Sequence, residues 1–134
     1  MSFFAGLNAW GILLAAAASF IFGGLWYGIL SKAWLDAAGL DPDQVENPRG
    51  ASPKPFVIAF VAQLVMACLM AKLLQHLGRI DIPLHAFSGA LVAFFAWLGF
   101  MLPPLVVNYQ FQMRKPALTL IDSGHWLGVA LIQG

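Results

Sequence analysis

Long apolar stretches alternate with short polar connections along the chain. Four stretches approach the roughly 20 residues that a helix needs to cross about 30 Å of hydrocarbon. They cover residues 7–30, 56–77, 84–107 and 117–134. The pattern therefore predicts an all-α membrane protein, a four-transmembrane-helix bundle that forms a single domain over residues 1–134.

The connections between these stretches differ in length and composition. Residues 31–54 form one long polar loop, which can begin with a short interfacial helix and continue as an exposed segment. Pro103-Pro104 predicts a kink or an end in the third helix, which would leave Val106–Met113 as an irregular or interfacial stretch. The first stretch lacks the positive residues and the short apolar core of a signal peptide, so we expect a retained helix.

Lys and Arg are distributed unevenly between the two ends of the predicted bundle. The first and third connections together hold five Lys or Arg residues. The other end of the bundle has only Arg79, with Lys72 as a second if its side chain extends to the membrane interface. Because cytoplasmic loops are enriched in positive residues, this bias predicts that both termini lie outside and that the long loop is cytoplasmic. The five are Lys32, Arg49, Lys54, Arg114 and Lys115.

Composition excludes several classes of protein. Hydrophobic residues make up 60% and charged residues 10% of the 134 residues, far from the balance of a soluble domain. A net charge of +1 without a basic run excludes nucleic-acid binding. The one cysteine, Cys68, lies in an apolar run and is interpreted as a packing residue. We expect neither a metal nor a cofactor, since no Cys/His ligand spacing occurs.

Small residues recur at helical spacing and predict close helix packing. The association of helices in lipid depends on such residues because they allow two helix backbones to approach closely. They serve either packing within the bundle or a contact between copies in a homo-oligomer, and the two interpretations are compatible. The candidate packing positions are Gly11, Ala15, Ser19, Gly23, Gly24, Gly28, Gly124 and Gly128.

A few polar residues lie inside the apolar stretches. Asp122 and His125 share one face of the fourth helix, and an ionisable residue at membrane depth survives only with a partner. Counted at 1.5 Å per residue, Gln63 and Ser19 fall at a similar depth. The layer is either a buried site, such as a proton relay or the polar anchor of an amphiphile, or a set of interhelical hydrogen bonds. Asp122 and His125 would supply only two metal ligands, fewer than a protein metal site usually has.

No nucleophile with a base, phosphate-binding loop or pair of membrane carboxylates occurs in the sequence. The pattern favours a structural or accessory bundle that self-associates or docks on a larger membrane complex. The alternative is a binding or transport module for a small amphiphile or a proton-coupled solute. An enzyme acting on a lipid is the third possibility. Besides membrane lipid, we expect a second copy or another membrane subunit as partner.

Several motifs in combination carry a resemblance to a known family. Asn8-Ala9-Trp10 is followed by Gly23-Gly24-Leu25-Trp26-Tyr27-Gly28, by Lys32-Ala33-Trp34, by Trp97-Leu98-Gly99-Phe100 and by Leu120-Ile121-Asp122-Ser123-Gly124. The chain resembles the bacterial membrane family catalogued as domain of unknown function 1761. The resemblance implies a four-span protein of unassigned role in the bacterial cytoplasmic membrane, with a polar site at Asp122, Trp26 and Asn108. This chain departs from the family pattern at His125, where that pattern leads us to expect an aromatic residue, usually Tyr.

Overall fold

A computed structural model describes residues 3–41, 43 and 52–134 of the chain. No strand occurs among these residues, so the predicted all-α class is confirmed for the described part. A π-helical turn, Trp97–Met101, joins the fourth and fifth helices. The helices are α1 (Ala9–Ile29), α2 (Ser31–Ala38), α3 (Lys54–Gly78), α4 (Ala86–Ala96), α5 (Leu102–Phe111) and α6 (Pro116–Gln133).

Three helical segments are long and apolar enough to cross a membrane. They are Ala9–Ile29, Lys54–Gly78 and Ala86–Phe111, the last of which comprises α4, the π-helical turn and α5. Their outer surfaces expose large apolar side chains, and Phe100 and Phe111 are 83% and 86% exposed. An apolar surface this extensive is suited to lipid rather than to water.

The helix α6 differs from the other long helices because it is enclosed by protein. It packs against α1, α2, α3, α4 and α5. Seven of its residues are buried, and four of the seven are polar or charged. Its polar face is therefore directed at the other helices. The seven are Leu118, Asp122, Ser123, His125, Val129, Ala130 and Gln133.

The prediction that Pro103-Pro104 leaves Val106–Met113 irregular is wrong for most of that segment. The helix α5 begins at Leu102 and continues to Phe111. In the π-helical turn the N–H of Leu102 bonds to the carbonyl oxygen of Trp97, five residues earlier. The prolines then fall in the first turn of α5, where a missing N–H removes no required hydrogen bond.

The first connection begins with the short helix α2, as the sequence indicated. It ends at Gly39, whose φ of 70° is the left-handed conformation that glycine adopts without strain. Most of the exposed segment predicted beyond it, residue 42 and residues 44–51, lies outside the described residues.

Glycines allow α6 to approach α1 closely. A Cβ at Gly124 would lie 2.8 Å from the indole ring of Trp26, and one at Gly128 would overlap the ring of Phe22. Both aromatic side chains belong to α1. At both predicted packing positions, α6 therefore packs against aromatic side chains of α1 rather than against a glycine-lined backbone.

Candidate functional site

Asp122 lies on the inner face of α6 and is only 7% exposed. Its Oδ1 accepts hydrogen bonds from the hydroxyl of Tyr27 at 2.7 Å and from Nε1 of Trp34 at 3.1 Å. Its Oδ2 accepts one from the hydroxyl of Tyr109. We call these four residues the Asp122 cluster.

The Asp122 cluster joins four helices at one carboxylate. Tyr27 belongs to α1, Trp34 to α2 and Tyr109 to α5. Hydrogen bonds to an ionised acceptor are roughly twice as strong as neutral ones, so three donors can hold a buried carboxylate without a cation. Asp122 and His125 share one face of α6, but no hydrogen bond joins them in the described part of the chain.

Two further indoles bind the backbone of α6 on either side of Asp122. Nε1 of Trp26 donates to the carbonyl oxygen of Ile121 at 3.0 Å, and Nε1 of Trp97 donates to that of Ser123 at 2.8 Å. A buried Trp N–H normally finds such a partner. These bonds fix the rotation of α6 and therefore the direction of the Asp122 side chain.

His125 is 5% exposed and lies one turn beyond Asp122, against α1. Its ring stacks on Phe22 at 6.2 Å between centroids and contacts Tyr27 at 4.9 Å. A Cβ at Gly23 would lie 2.7 Å from His125 Nε2, so only glycine leaves room for the imidazole there. Nδ1 of His125 is buried without a hydrogen-bond partner among the described residues.

Gln63 contributes a second buried polar group from α3. It is 3% exposed, and its Oε1 also has no partner in the described part. Its backbone carbonyl oxygen accepts a hydrogen bond from Nε2 of Gln133 at 3.1 Å. Because this bond involves only the main chain of Gln63, its amide side chain is left to interact elsewhere.

Gln63 and His125 both line a cavity of about 500 Å³ between α1 and α3, here called the α1–α3 cavity. The remaining walls are almost wholly apolar, and a volume of this size lies within the range of small-molecule sites. An added Cβ at Gly24 or Gly28 would meet nothing within 4 Å in the described part. The lining residues are Phe20, Gly23, Gly24, Tyr27, Gly28, Pro55, Phe56, Ala59, Gln63 and His125.

The residues predicted to form one polar layer divide into separate environments. Asp122 lies in its cluster, whereas Gln63 and His125 lie on the cavity. Ser19 is fully buried and its hydroxyl donates to the carbonyl oxygen of Ala15, one turn earlier. Asn108 is exposed, and its neighbour Tyr109 reaches Asp122 instead.

The predicted packing positions on α1 also differ in burial. Ser19 and Gly23 are buried, Ala15 is half-buried and Gly11 is exposed, so only part of the stripe faces the interior. Gly24 and Gly28 are exposed and belong to the cavity wall. The two glycines therefore create space in this chain rather than a close contact between its helices.

Sequence reasoning missed all three donors to Asp122. The sequence analysis gave Tyr27, Trp34 and Tyr109 no role at the site, although all three donate to Asp122. The signal in the sequence that could have identified them was the carboxylate itself, because a buried Asp requires hydrogen-bond donors. Tyr and Trp side chains supply such donors and are otherwise apolar. Within the described ranges, no three His, Cys, Asp or Glu side chains come together as a set that could hold a metal ion.

A family model described as "Protein of unknown function (DUF1761)" matches residues 10–134. This is the family that the sequence motifs resemble. No curated protein and no solved structure matches the chain.

Proposed function

The chain belongs to the DUF1761 family of proteins of unknown function, and we propose from its geometry that it is a membrane-embedded binding module for a small amphiphile. One observation carries the proposal. The α1–α3 cavity of about 500 Å³ has almost wholly apolar walls, and the buried polar side chains of Gln63 and His125 are among its lining residues. A molecule with an apolar body and a small polar end would match these walls.

The proposed arrangement in the membrane is a bundle of four spans with α6 as the fourth. With 18 residues, α6 is about 27 Å long, close to the thickness of the hydrocarbon core. An Asp at the centre of a lone membrane helix costs about 2.5 kcal/mol or more. The three donors to Asp122 and the enclosure of α6 by other helices support its placement in lipid.

The walls of the cavity indicate which kind of molecule it suits. Phe20, Phe56 and Ala59 present apolar surface, and the two open glycines Gly24 and Gly28 leave width beside α1. An apolar body would pack there, while a polar end reaches Gln63 and His125.

Filling the cavity with a larger side chain tests this proposal. The variant Gly24→Leu places a side chain in the cavity without displacing a neighbour of Cβ, whereas Gly99→Leu adds the same side chain at an open position outside it. We expect native mass spectrometry of nanodiscs with native lipids to detect a bound small molecule on the wild type and on Gly99→Leu. The molecule should be lost from Gly24→Leu. Its absence from the wild type, or its retention by Gly24→Leu, would overturn the proposal.

A second candidate is a structural or accessory bundle, which would form a homo-oligomer or join a larger complex in the bacterial cytoplasmic membrane. The Asp122 cluster favours it, because the carboxylate is satisfied within one chain and its bonds tie four helices together. The test is the mass of the purified protein in nanodiscs. A dimer or a larger assembly is expected under this candidate, and a monomer that co-purifies with no other protein would contradict it.

A further inference from the structure

We infer that the surface formed by the π-helical turn and α6 is a contact between two copies of this chain. In this contact, Nε1 of Trp126 in each copy donates a hydrogen bond to the main-chain carbonyl oxygen of Gly99 in the other. Neither residue lines the α1–α3 cavity, so the contact is independent of the proposed amphiphile. It gives a specific surface to the homo-oligomer considered above.

The carbonyl oxygen of Gly99 lacks the donors that a regular helix supplies. The residues four and five positions ahead are Pro103 and Pro104, which have no N–H. The N–H of Leu102, three positions ahead, bonds to Trp97 instead. Gly99 is exposed, and because it has no side chain, its exposed surface belongs to the main chain. An added Cβ there would meet nothing within 4 Å in the described part, so another molecule can approach.

Lipid cannot supply the missing donor at this position. Gly99 lies midway along the apolar segment Ala86–Phe111, near the centre of the hydrocarbon core. Acyl chains contain no N–H or O–H group, and irregular main chain occurs at this depth only where protein or water surrounds it. The exposed main chain of Gly99 is therefore suited to a polar contact with another membrane helix.

Trp126 on α6 offers an unpaired donor. The indoles of Trp26, Trp34 and Trp97 each donate within the chain, whereas Nε1 of Trp126 has no partner among the described residues. Trp126 is half-buried, and unlike Nδ1 of His125, its Nε1 is not closed off from the surface. An indole N–H can only donate, so it requires an acceptor from outside this chain.

The donor and the acceptor lie at about the same depth. Gly99 lies 12 residues before Phe111, about 18 Å along its segment. Trp126 lies 10 residues after Pro116, about 15 Å along α6. The short connection 112–115 joins these two helix ends, so both lengths are measured from one end of the bundle. A two-fold axis along the membrane normal preserves depth and therefore brings each donor to the acceptor of the other copy.

The surface around Trp126 suits a side chain next to Gly99. Trp126 lines a groove of about 280 Å³ together with Met66, Met101 and Leu105. Phe100, which is 83% exposed, would place its ring in this groove of the second copy, where methionines adapt to an aromatic ring. Met101 follows Gly99 by two residues, so the groove and the acceptor belong to one surface. A self-complementary contact between identical copies requires this arrangement.

Removing the donor tests the contact. Energy transfer between copies of the full chain labelled with two fluorophores, in liposomes of varied protein-to-lipid ratio, measures the dissociation constant of the dimer. Trp126→Phe keeps an aromatic ring and removes the N–H. The symmetric contact loses two hydrogen bonds, each a factor of about three between membrane helices, so the constant should rise about tenfold. The matched control Trp10→Phe, at a position 75% exposed on α1, should dimerise as the wild type does.

Restoring a donor to Gly99 tests the acceptor. Pro103→Ala returns an N–H four residues ahead, which can satisfy the carbonyl oxygen within its own helix. We expect this variant to weaken the dimer about as much as Trp126→Phe does. The double variant should be little weaker than either single variant, because both changes remove the same bond. Additive losses in the double variant would contradict a bond between these two groups.

Two glycine variants separate this contact from the proposed function. Gly99→Leu covers the carbonyl oxygen and should weaken the dimer while the α1–α3 cavity keeps its small molecule. Gly24→Leu should lose the small molecule and leave the dimer intact. Monomers at every protein density, or a dimer unchanged by Trp126→Phe and Gly99→Leu, would overturn the contact alone. A wild-type dimer without a bound small molecule would overturn the amphiphile and leave the contact.

Discussion

At the scale of single residues, Asp122 illustrates how a carboxylate is accommodated among apolar helices. Its partners are two phenols and an indole, groups whose apolar bodies pack while their polar tips donate. The three donors therefore satisfy the carboxylate without a Lys or Arg partner. Asp122 is accordingly a positioning residue for four helices.

Replacing Asp122 tests this role. Asp122→Leu leaves three donors without an acceptor, each at a cost of about 1–3 kcal/mol, so the free energy of unfolding should fall by about 3 kcal/mol or more. Asp122→Asn should lose less, because the amide oxygen still accepts. Unfolding by sodium dodecyl sulfate in mixed micelles measures both variants. Wild-type stability of Asp122→Leu would contradict the role of the cluster.

At the scale of elements, two glycine positions show opposite uses of a missing side chain. The Cβ of Gly128→Ala on α6 would overlap the ring of Phe22, whereas that of Gly28→Ala on α1 would meet nothing within 4 Å in the described part. We expect Gly128→Ala to reduce the free energy of unfolding by about 1–3 kcal/mol through overpacking. Gly28→Ala should leave stability unchanged or raise it, since alanine favours a helix. The same micelle titration compares them, and equal losses would contradict the packing described.

The attachment of α2 gives a second prediction at this scale. Trp34 reaches Asp122 from α2, while Lys115 and Asp36 form an ion pair at 3.5 Å whose side chains are 58% and 84% exposed. Exposed pairs contribute little, so the half-buried indole of Trp34 should hold α2 in place. Hydrogen exchange of residues 31–38 should therefore accelerate in Trp34→Phe and remain unchanged in Lys115→Gln. The reverse order would show that the surface pair holds the helix.

At the scale of the whole molecule, the first and third connections, which hold the five positive residues, contact each other. Nη1 of Arg114 donates to the carbonyl oxygen of Ala38 at 3.0 Å, and Nζ of Lys115 donates to that of Asp36 at 3.0 Å. Both connections therefore lie at one end of the helices. The positive-inside rule assigns this end to the cytoplasm.

Single cysteines on a Cys68→Ala background test that orientation. Ser52→Cys lies before α3 at the basic end, and Ile80→Cys lies after α3 at the other end, and both positions are exposed. An impermeant maleimide added to intact bacterial cells should label Ile80→Cys at once and Ser52→Cys only after the membrane is permeabilised. Labelling in the opposite order would contradict the predicted topology.

Particular residues show what could be predicted from the sequence. Hydropathy alone identifies the three apolar segments and the helical class, because burial in lipid depends on local composition. Pro103-Pro104 misled because the π-helical turn before it changes the hydrogen-bond register, which a rule for regular helices does not anticipate. Tyr27 and Trp34 lie 95 and 88 residues from Asp122 in sequence, so their contacts depend on packing that no local pattern encodes.

The α1–α3 cavity was inaccessible to sequence reasoning for a related reason. Gly24 and Gly28 have the spacing of a helix-packing motif, and the sequence does not indicate whether a neighbour fills the space beside them. Gln63 and His125 were assigned to the same polar layer as Asp122, but in the packed helices they line the cavity, and Tyr27 belongs to both the cavity wall and the Asp122 cluster.

The central claim is that the α1–α3 cavity holds a small amphiphile, and an experimental structure of the protein extracted with its native lipids tests it most directly. We predict ordered non-protein density within the cavity, in contact with the side chains of Gln63 and His125. A cavity closed by repacking of α1 on α3, or filled by water alone, would contradict the account.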